Sequence, residues 1–277
     1  MGTLKCRGKL IDISKPKLMG ILNITPDSFF DGGENNSLKS ALKQTEKMLS
    51  EGADFIDIGG MSSRPGAELI SFEEEKKRIL PVINAIVQEF PNAILSIDTF
   101  RSEIAKITIN EGASVINDIS GGDMDEKMFQ TIASLKCPYI LMHMRGNSKT
   151  MQSLTEYENV TIDVINELSK KIERLHKLNI SDIIIDPGFG FSKTIEQNYQ
   201  LLNELDIFSK VLELPILAGI SRKSMIYKQL NIEPKDALNA TTALNMVALQ
   251  KGAKILRVHD VKEAKQVLDL YLALTKI

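Results

Sequence analysis

The chain has 277 residues, 43% of them hydrophobic, which suits one large α/β barrel or two small domains. A net charge of −2 argues against a partner gripped through nucleic-acid phosphates, because such proteins carry a basic excess. Two cysteines, Cys6 and Cys137, make neither a C-x-x-C motif nor a disulfide framework, so a reducing, cytoplasmic setting is expected, and no apolar run approaches the ~18 residues of a membrane span.

The N-terminal MGTLKCRGK lacks the apolar core of a secretion signal, and Cys6 stands where a myristoylation pattern needs Ser or Thr. The first 16 residues form an extension of their own, in which LKCRGKLIDI reads as a hairpin turning at Arg7-Gly8. From residue 17 onward, short apolar runs alternate with longer charged segments of helical period. Strands are predicted at 18–22, 55–59, 93–98, 114–119, 139–143, 182–186, 215–219 and 254–258. The clearest helices between and after them are 38–52, 71–90, 101–112, about 156–178, 237–252 and 261–275. Ser71 with Glu74 fits a capping box, and Pro81 predicts a kink or boundary in the second helix.

Apolar runs without strict alternation suit parallel strands buried on both faces. Eight strand–helix units in about 260 residues match a (β/α)8 TIM barrel spanning residues 17–277, its bottom closed by the hairpin-like extension of residues 1–16. A weak repeat agrees with this: EGADFIDIGG, EGASVINDISGG and KGAKILRVHD each place Gly-Ala between a helix and a strand, which marks Gly52, Gly112 and Gly252 as helix C-caps.

The strand ends are polar: Asn23, Asp57, Asp98, Asn117, His143, Asp186, then Ser221-Arg222-Lys223, Arg257 and His259. A single Asp or Asn there is ordinarily a turn or cap, and His143 alone in LMHMRG reads as a satisfied core histidine. Asp57 has Arg64 or Arg257 as candidate partners. Caps do not account for so many ends at once, and a barrel gathers them on the face where barrel active sites lie. Buried carboxylates need partners or a ligand. Two carboxylates and an amide suit a planar group rich in N–H donors, such as the 2-amino-4-oxo edge of a pterin or guanine. Arg257 can stack on such a ring, Arg64, Arg257 and His259 suit a phosphate, and Asn23 is a hard oxygen donor for Mg²⁺. Lys223 and Ser224 stand at a predicted helix start, which attracts a carboxylate.

LNITPDSFFDGG, DIGGMSSRPGAE, SIDTFRSEIA, INDISGG, IIIDPGFGFSKT, LAGISRKSMI and LRVHDVKEA, in that order over about residues 17–270, resemble the dihydropteroate synthase family. The resemblance implies a (β/α)8 barrel, usually a homodimer and the target of sulfonamides. It implies condensation of 6-hydroxymethyl-7,8-dihydropterin pyrophosphate with p-aminobenzoate. By motif, it assigns Asn23 to Mg²⁺ and pyrophosphate. Asp98, Asn117, Asp186 and Lys223 fall on pterin-binding positions, and Arg257 and His259 on pyrophosphate-binding ones. Phe29 and Asp31 belong to a first loop, and Ser63, Arg64 and Pro65 to a second. Phe191 and Ser224 match the p-aminobenzoate pocket. The chain departs from the family at Met61-Ser62-Ser63, where Glu-Ser-Thr is common. A methyltetrahydrofolate–corrinoid methyltransferase and a non-catalytic pterin-binding paralogue are the competing readings. The pyrophosphate-type residues and the near-complete motifs speak for the synthase.

Overall fold

The structure, a computed structural model, describes residues 2–24, 34–61 and 66–275, with residues 34–37 in backbone only. It opens with an antiparallel hairpin of β1 (Thr3–Cys6) and β2 (Lys9–Asp12), in which Cys6 pairs with Lys9. Arg7 and Gly8 take φ of 47° and 78°, the doubly left-handed turn whose twist matches a two-residue hairpin.

Eight parallel strands follow: β3 (Lys17–Asn23), β4 (Phe55–Gly59), β5 (Ile94–Asp98), β6 (Val115–Asp118), β7 (Tyr139–Met142), β8 (Ile183–Asp186), β9 (Leu217–Ala218) and β10 (Ile255–Val258). Their order is β8-β7-β6-β5-β4-β3-β10-β9, and a parallel bridge between Ile185 and Ile216 joins the two edges, so the sheet closes into the expected barrel. The outer layer comprises α1 (Glu34–Ser50), α2 (Phe72–Glu89), α3 (Ser102–Asn110), α4 (Met128–Leu135), α5 (Val160–Lys177), α6 (Ile195–Asn203), α7 (Leu205–Leu212), α8 (Ser224–Leu230), α9 (Leu238–Gln250) and α10 (Val261–Leu274).

The two strand faces serve two cores. Outward residues such as Leu18, Leu22, Ile56, Ile58, Leu95, Ile97, Ile116, Leu141, Ile183 and Leu256 pack against the helices. Inward residues near the strand starts, Met19, Phe55, Val115, Ile140, Ile184, Leu217 and Ile255, form a separate cluster with Leu4, Cys6 and Ile13 of the extension. The hairpin therefore plugs the end of the barrel where the strands begin, and Asp182 accepts a bond from Lys5 N at 3.1 Å. Burying these apolar side chains is the main favourable term holding the end shut.

Three local expectations are refined. Gly52, Gly112 and Gly252 take φ of 101°, 110° and 94°, as helix-terminal glycines should. Helix α2 runs unbroken through Pro81, because Ile79, Val82, Ile83 and Ile86 bury one continuous stripe while Pro81 faces outward. The capping box at Ser71 is half formed. Ser71 Oγ accepts from Glu74 N at 3.1 Å, but the Glu74 carboxylate turns to Arg78 at 2.7 Å. The full reciprocal box occurs instead at Thr194 and Gln197, opening α6.

Candidate active site

Side chains two residues apart on a strand share a face, so the inward series continues upward from the apolar layer. The next positions are Ile21, Asp57, Ser96, Asn117, Met142, Asp186, Gly219 and Arg257, with Asn23, Gly59 and Asp98 above them. Polar strand ends thus converge on the open mouth.

Four of them form one bonded cluster. Arg257 Nε donates to Asp57 Oδ2 at 2.6 Å, and its Nη2 donates to Asp98 Oδ2 at 2.8 Å. Asn117 Nδ2 donates to the same Asp57 oxygen at 2.9 Å. Asp57 is fully buried, and its Oδ1 and the Ser96 hydroxyl find no hydrogen-bond partner among the described residues. The sequence expectation that Asp57 pairs with a neighbour is met by Arg257. Asp57 is then the anchor that orients both the amide and the guanidinium. Burial lowers the proton affinity of Arg257, but Asp57 and Asp98 more than offset it and hold it charged. Burial pushes the Asp98 carboxyl up to about 7 against the pull of Arg257.

A second group faces it. Burial raises the Asp186 carboxyl, while Lys223 opposes the rise. Burial also pulls the Lys223 amine down to about 8, with Asp186 holding it up. Lys223 Nζ donates to Phe189 O and lies 4.6 Å from the centre of the Phe191 ring. Two glycines leave space beside these charges. A Cβ on Gly219 would lie 3.8 Å from Lys223 Nζ and 3.9 Å from Asp186 Oδ2. One on Gly59 would lie 3.6 Å from Asn23 Oδ1 and 3.8 Å from Asp98 Oδ2. Asn23 and Asp98 therefore flank one hollow, and Asp186 and Lys223 another.

His259 follows β10, and its Nδ1 lies 3.0 Å from Ser221 Oγ, which also accepts from His259 N at 3.2 Å. Arg222 grips Asp260 through two bonds of 2.8 Å and so ties the β9 and β10 loops together. Ser224 is the first residue of α8. Phe191 packs with Met142, Met144 and Met151 in an apolar cluster of its own. A small hollow beside Asp98 is walled by Met61, Phe100, Ile119, Met124 and Met144. A wider, shallow hollow between α5 and α7, lined by Ile172, His176 and Val211, lies in the outer helical layer away from the strand ends. Its charged residues include Glu173 and Lys177, an exposed pair on one helix, whereas the polar strand ends converge at the mouth.

Phe29, Asp31, Ser63, Arg64 and Pro65 lie outside the described residues. The segment flanking the second loop is well anchored. Arg101 bonds Glu75 and Ile70 O, Thr99 Oγ1 donates to Glu75 at 2.7 Å, and Ser148 takes Gly66 N and Ala67 O. Met61 places its sulfur 3.8 Å from Arg101 Nη1, and Arg101 pairs with the buried Glu75.

One buried network has no counterpart in the motif reading. His143 is satisfied on both nitrogens, as expected of a core histidine, by Glu167 at 2.9 Å and by Lys193 at 3.0 Å. Lys193 itself was visible only as the last charged residue of GFGFSKT, directly beside residues assigned to the site. Among the described residues no cluster of three or more His, Cys, Asp or Glu is arranged to hold a metal. The Asn23 amide oxygen is a neutral hard donor at the mouth and faces the hollow over Gly59 beside Asp98 Oδ2. A single such oxygen fits Mg²⁺ when phosphates and waters fill its remaining positions.

Comparison with known proteins agrees with this geometry. The family model of the pterin binding enzymes matches residues 19–259. The dihydropteroate synthase of Escherichia coli is 42% identical over 267 residues, covering 96% of this chain and 94% of that one. The Yersinia pestis dihydropteroate synthase, solved with a sulfonamide drug complex, superposes with a TM-score of 0.93 at 40% identity, covering 99% of this chain and 100% of that one. The Xanthomonas albilineans dihydropteroate synthase, solved with 4-aminobenzoic acid, gives 0.93 at 36% identity, covering 100% and 99%.

Proposed function

This chain belongs to the dihydropteroate synthases of the pterin-binding enzyme family, and from that premise we propose how its own residues carry the reaction. The reaction joins 6-hydroxymethyl-7,8-dihydropterin pyrophosphate to p-aminobenzoate and releases 7,8-dihydropteroate and pyrophosphate. The observation that carries the assignment of roles is the gathering at one barrel end of a buried carboxylate, Asp186, a partly exposed one, Asp98, an amide, Asn117, and two cations, Lys223 and Arg257.

The pterin enters edge-on. Asp186 accepts from its amino and ring N–H groups, Asn117 and Lys223 donate to its acceptors, and Arg257 lies against the ring face. Arg257 keeps its place because Asp57 and Asp98 hold two of its nitrogens. As the methylene C–O bond breaks, positive charge spreads into the dihydropterin, and Asp98 and Asp186 stabilise it. The departing pyrophosphate is met by Arg257 and His259, with Arg64 of the second loop. Ser221 orients the His259 ring. Asn23 would hold Mg²⁺, which when bound neutralises phosphate charge on the leaving group.

The arylamine nitrogen then attacks the methylene carbon and loses a proton. That nitrogen is already neutral near pH 7, so the work of the site is positioning and electrostatics. Ser224 offers its hydroxyl to the p-aminobenzoate carboxylate, and Phe191 forms an apolar wall. Phe29 of the first loop shields the ring from water.

The protein is proposed to act as a cytoplasmic homodimer and as a sulfonamide target. Ile207 and Val211, one turn apart on α7, remain exposed and offer apolar surface for the partner, and both cysteines are free buried thiols. The test is incubation with dihydropterin pyrophosphate, p-aminobenzoate and Mg²⁺. Dihydropteroate should form, and its yield should fall when Mg²⁺ is chelated. No product from folded protein in the complete mixture would overturn the reading.

A further inference from the structure

The loop after β8, residues 187–193, is wound tightly, with Gly188, Gly190 and Ser192 at φ of 74°, 81° and 47°. It is pressed against β7. A Cβ on Gly188 would lie 1.9 Å from His143 O, so only glycine fits there. This loop presents two groups to the mouth, the Phe191 ring and the Phe189 carbonyl, and both contact Lys223. The orientation of Lys223 therefore depends on where the loop is held.

Lys193 holds it. Its ammonium is buried and has three N–H groups and three acceptors: Phe191 O at 2.9 Å, His143 Nδ1 at 3.0 Å and Gly188 O at 3.1 Å. Burial pulls the Lys193 amine down to about 7, but the Glu167 carboxylate, held down to about 2 by its bonds to His143 and Arg145, can only accept, so the ring proton sits on Nε2 and His143 Nδ1 accepts from Lys193. The Nε2–H donates to Glu167 Oε2 at 2.9 Å, and Arg145 grips the other Glu167 oxygen. Arg145 also reaches the loop, since its N–H donates to Ser192 Oγ at 3.0 Å. We propose that Lys193, braced by His143 and Glu167, is a positioning residue that fixes the 187–193 loop, and through it Lys223 and the Phe191 wall of the p-aminobenzoate pocket. When protonated, Lys193 also places a positive charge near Asp186, which opposes the rise that burial gives that carboxyl, after Lys223. This inference rests on the reaction assigned above, and its test separates the two.

Two measurements decide it. The first needs no substrate. The chain has three histidines, so ¹⁵N resonances of the wild-type protein can be assigned by substitution. His143 should carry its proton on Nε2. A proton on Nδ1 overturns the proposal whatever the enzyme does. The second is a comparison of His143→Gln, His143→Leu and Lys193→Met. Glutamine keeps an acceptor toward Lys193 and a donor toward Glu167, whereas leucine keeps only bulk. Lys193→Met and His143→Leu should raise KM for p-aminobenzoate by about tenfold, and His143→Gln should stay within about threefold of wild type. If Lys193→Met fails to fold, the two His143 variants still give the answer. Glutamine no better than leucine, or a folded Lys193→Met with unchanged KM, overturns the proposal while leaving the reaction intact. Absence of product from the wild type would overturn the reaction, and the tautomer would still report on the network.

Discussion

The two ends of the barrel are built from the same eight strands and have opposite chemistry. At the hairpin end the inward residues are Met19, Phe55, Val115, Ile140, Ile184, Leu217 and Ile255, sealed by Leu4, Cys6 and Ile13. Two residues further along the same strands stand Asp57, Ser96, Asn117, Asp186 and Arg257. The sealed end gains stability from apolar burial. The open end spends some of it on desolvating charges, which survive because they face one another, as in the Asp57–Arg257–Asp98 chain. The difference teaches that one strand can divide its work by height, with apolar burial low in the barrel and paired charges that serve the chemistry high.

Arg257→Leu tests this division most severely. It removes the cation shared by Asp57 and Asp98, so kcat/KM should fall by about 10³-fold, the upper range for losing one preorganised electrostatic group. It should also destabilise the protein by about 3–5 kcal/mol, because the buried Asp57 loses its counter-ion and keeps only the Asn117 amide. Denaturant unfolding and steady-state kinetics read the two effects. Unchanged stability would mean that the charges at the open end do not depend on one another.

Phe55→Ala is the counterpart at the sealed end. It should cost about 3–5 kcal/mol in urea unfolding while kcat per folded molecule stays within a few-fold. A large loss of kcat in folded protein would break the division by height.

The pH profile sharpens the upper layer. Asp98 must be ionised to meet the positive charge of the transition state, and in the substrate-free protein burial has pushed its carboxyl up to about 7. Below that point kcat/KM for the pterin substrate should fall about tenfold per pH unit, and above it the profile should reach its maximum before Lys223 loses its proton at about 8. Asp98→Asn should lower the maximum and abolish that limb. A limb that persists in the variant belongs to another group.

Ser71→Ala, remote from both ends, should cost only ~1 kcal/mol by losing the cap of α2, with kinetics unchanged.

Much of this was readable in the sequence, for physical reasons. The parallel strands appear as apolar runs because both faces are buried, and their bounds fall within about two residues of those predicted. The hairpin is read at Arg7-Gly8, where the chain needs two left-handed residues. Helices α4, α6 and α7 were harder to see, being only 8, 9 and 8 residues long, too short for a period to stand out. At the mouth, polar strand ends mark Asp98, Asn117, Asp186 and Arg257 because they interrupt apolar runs. Glu75, Arg101 and Lys193 give no such signal. They lie on a helix and in loops where charges are ordinary, and only the fold shows that Glu75 and Lys193 are buried.

The central claim is that the upper inward layer carries the chemistry, and that a shape-keeping change there which leaves the Asp57–Arg257 pair intact costs the fold little; Asp186→Asn tests it most directly. The substitution keeps shape and removes the charge beside Lys223. The measurement is dihydropteroate formation alongside the melting temperature. The account predicts a loss of about 10²-fold or more in kcat/KM for the pterin substrate, with melting shifted by only a few degrees. Turnover and pterin affinity equal to wild type would contradict it.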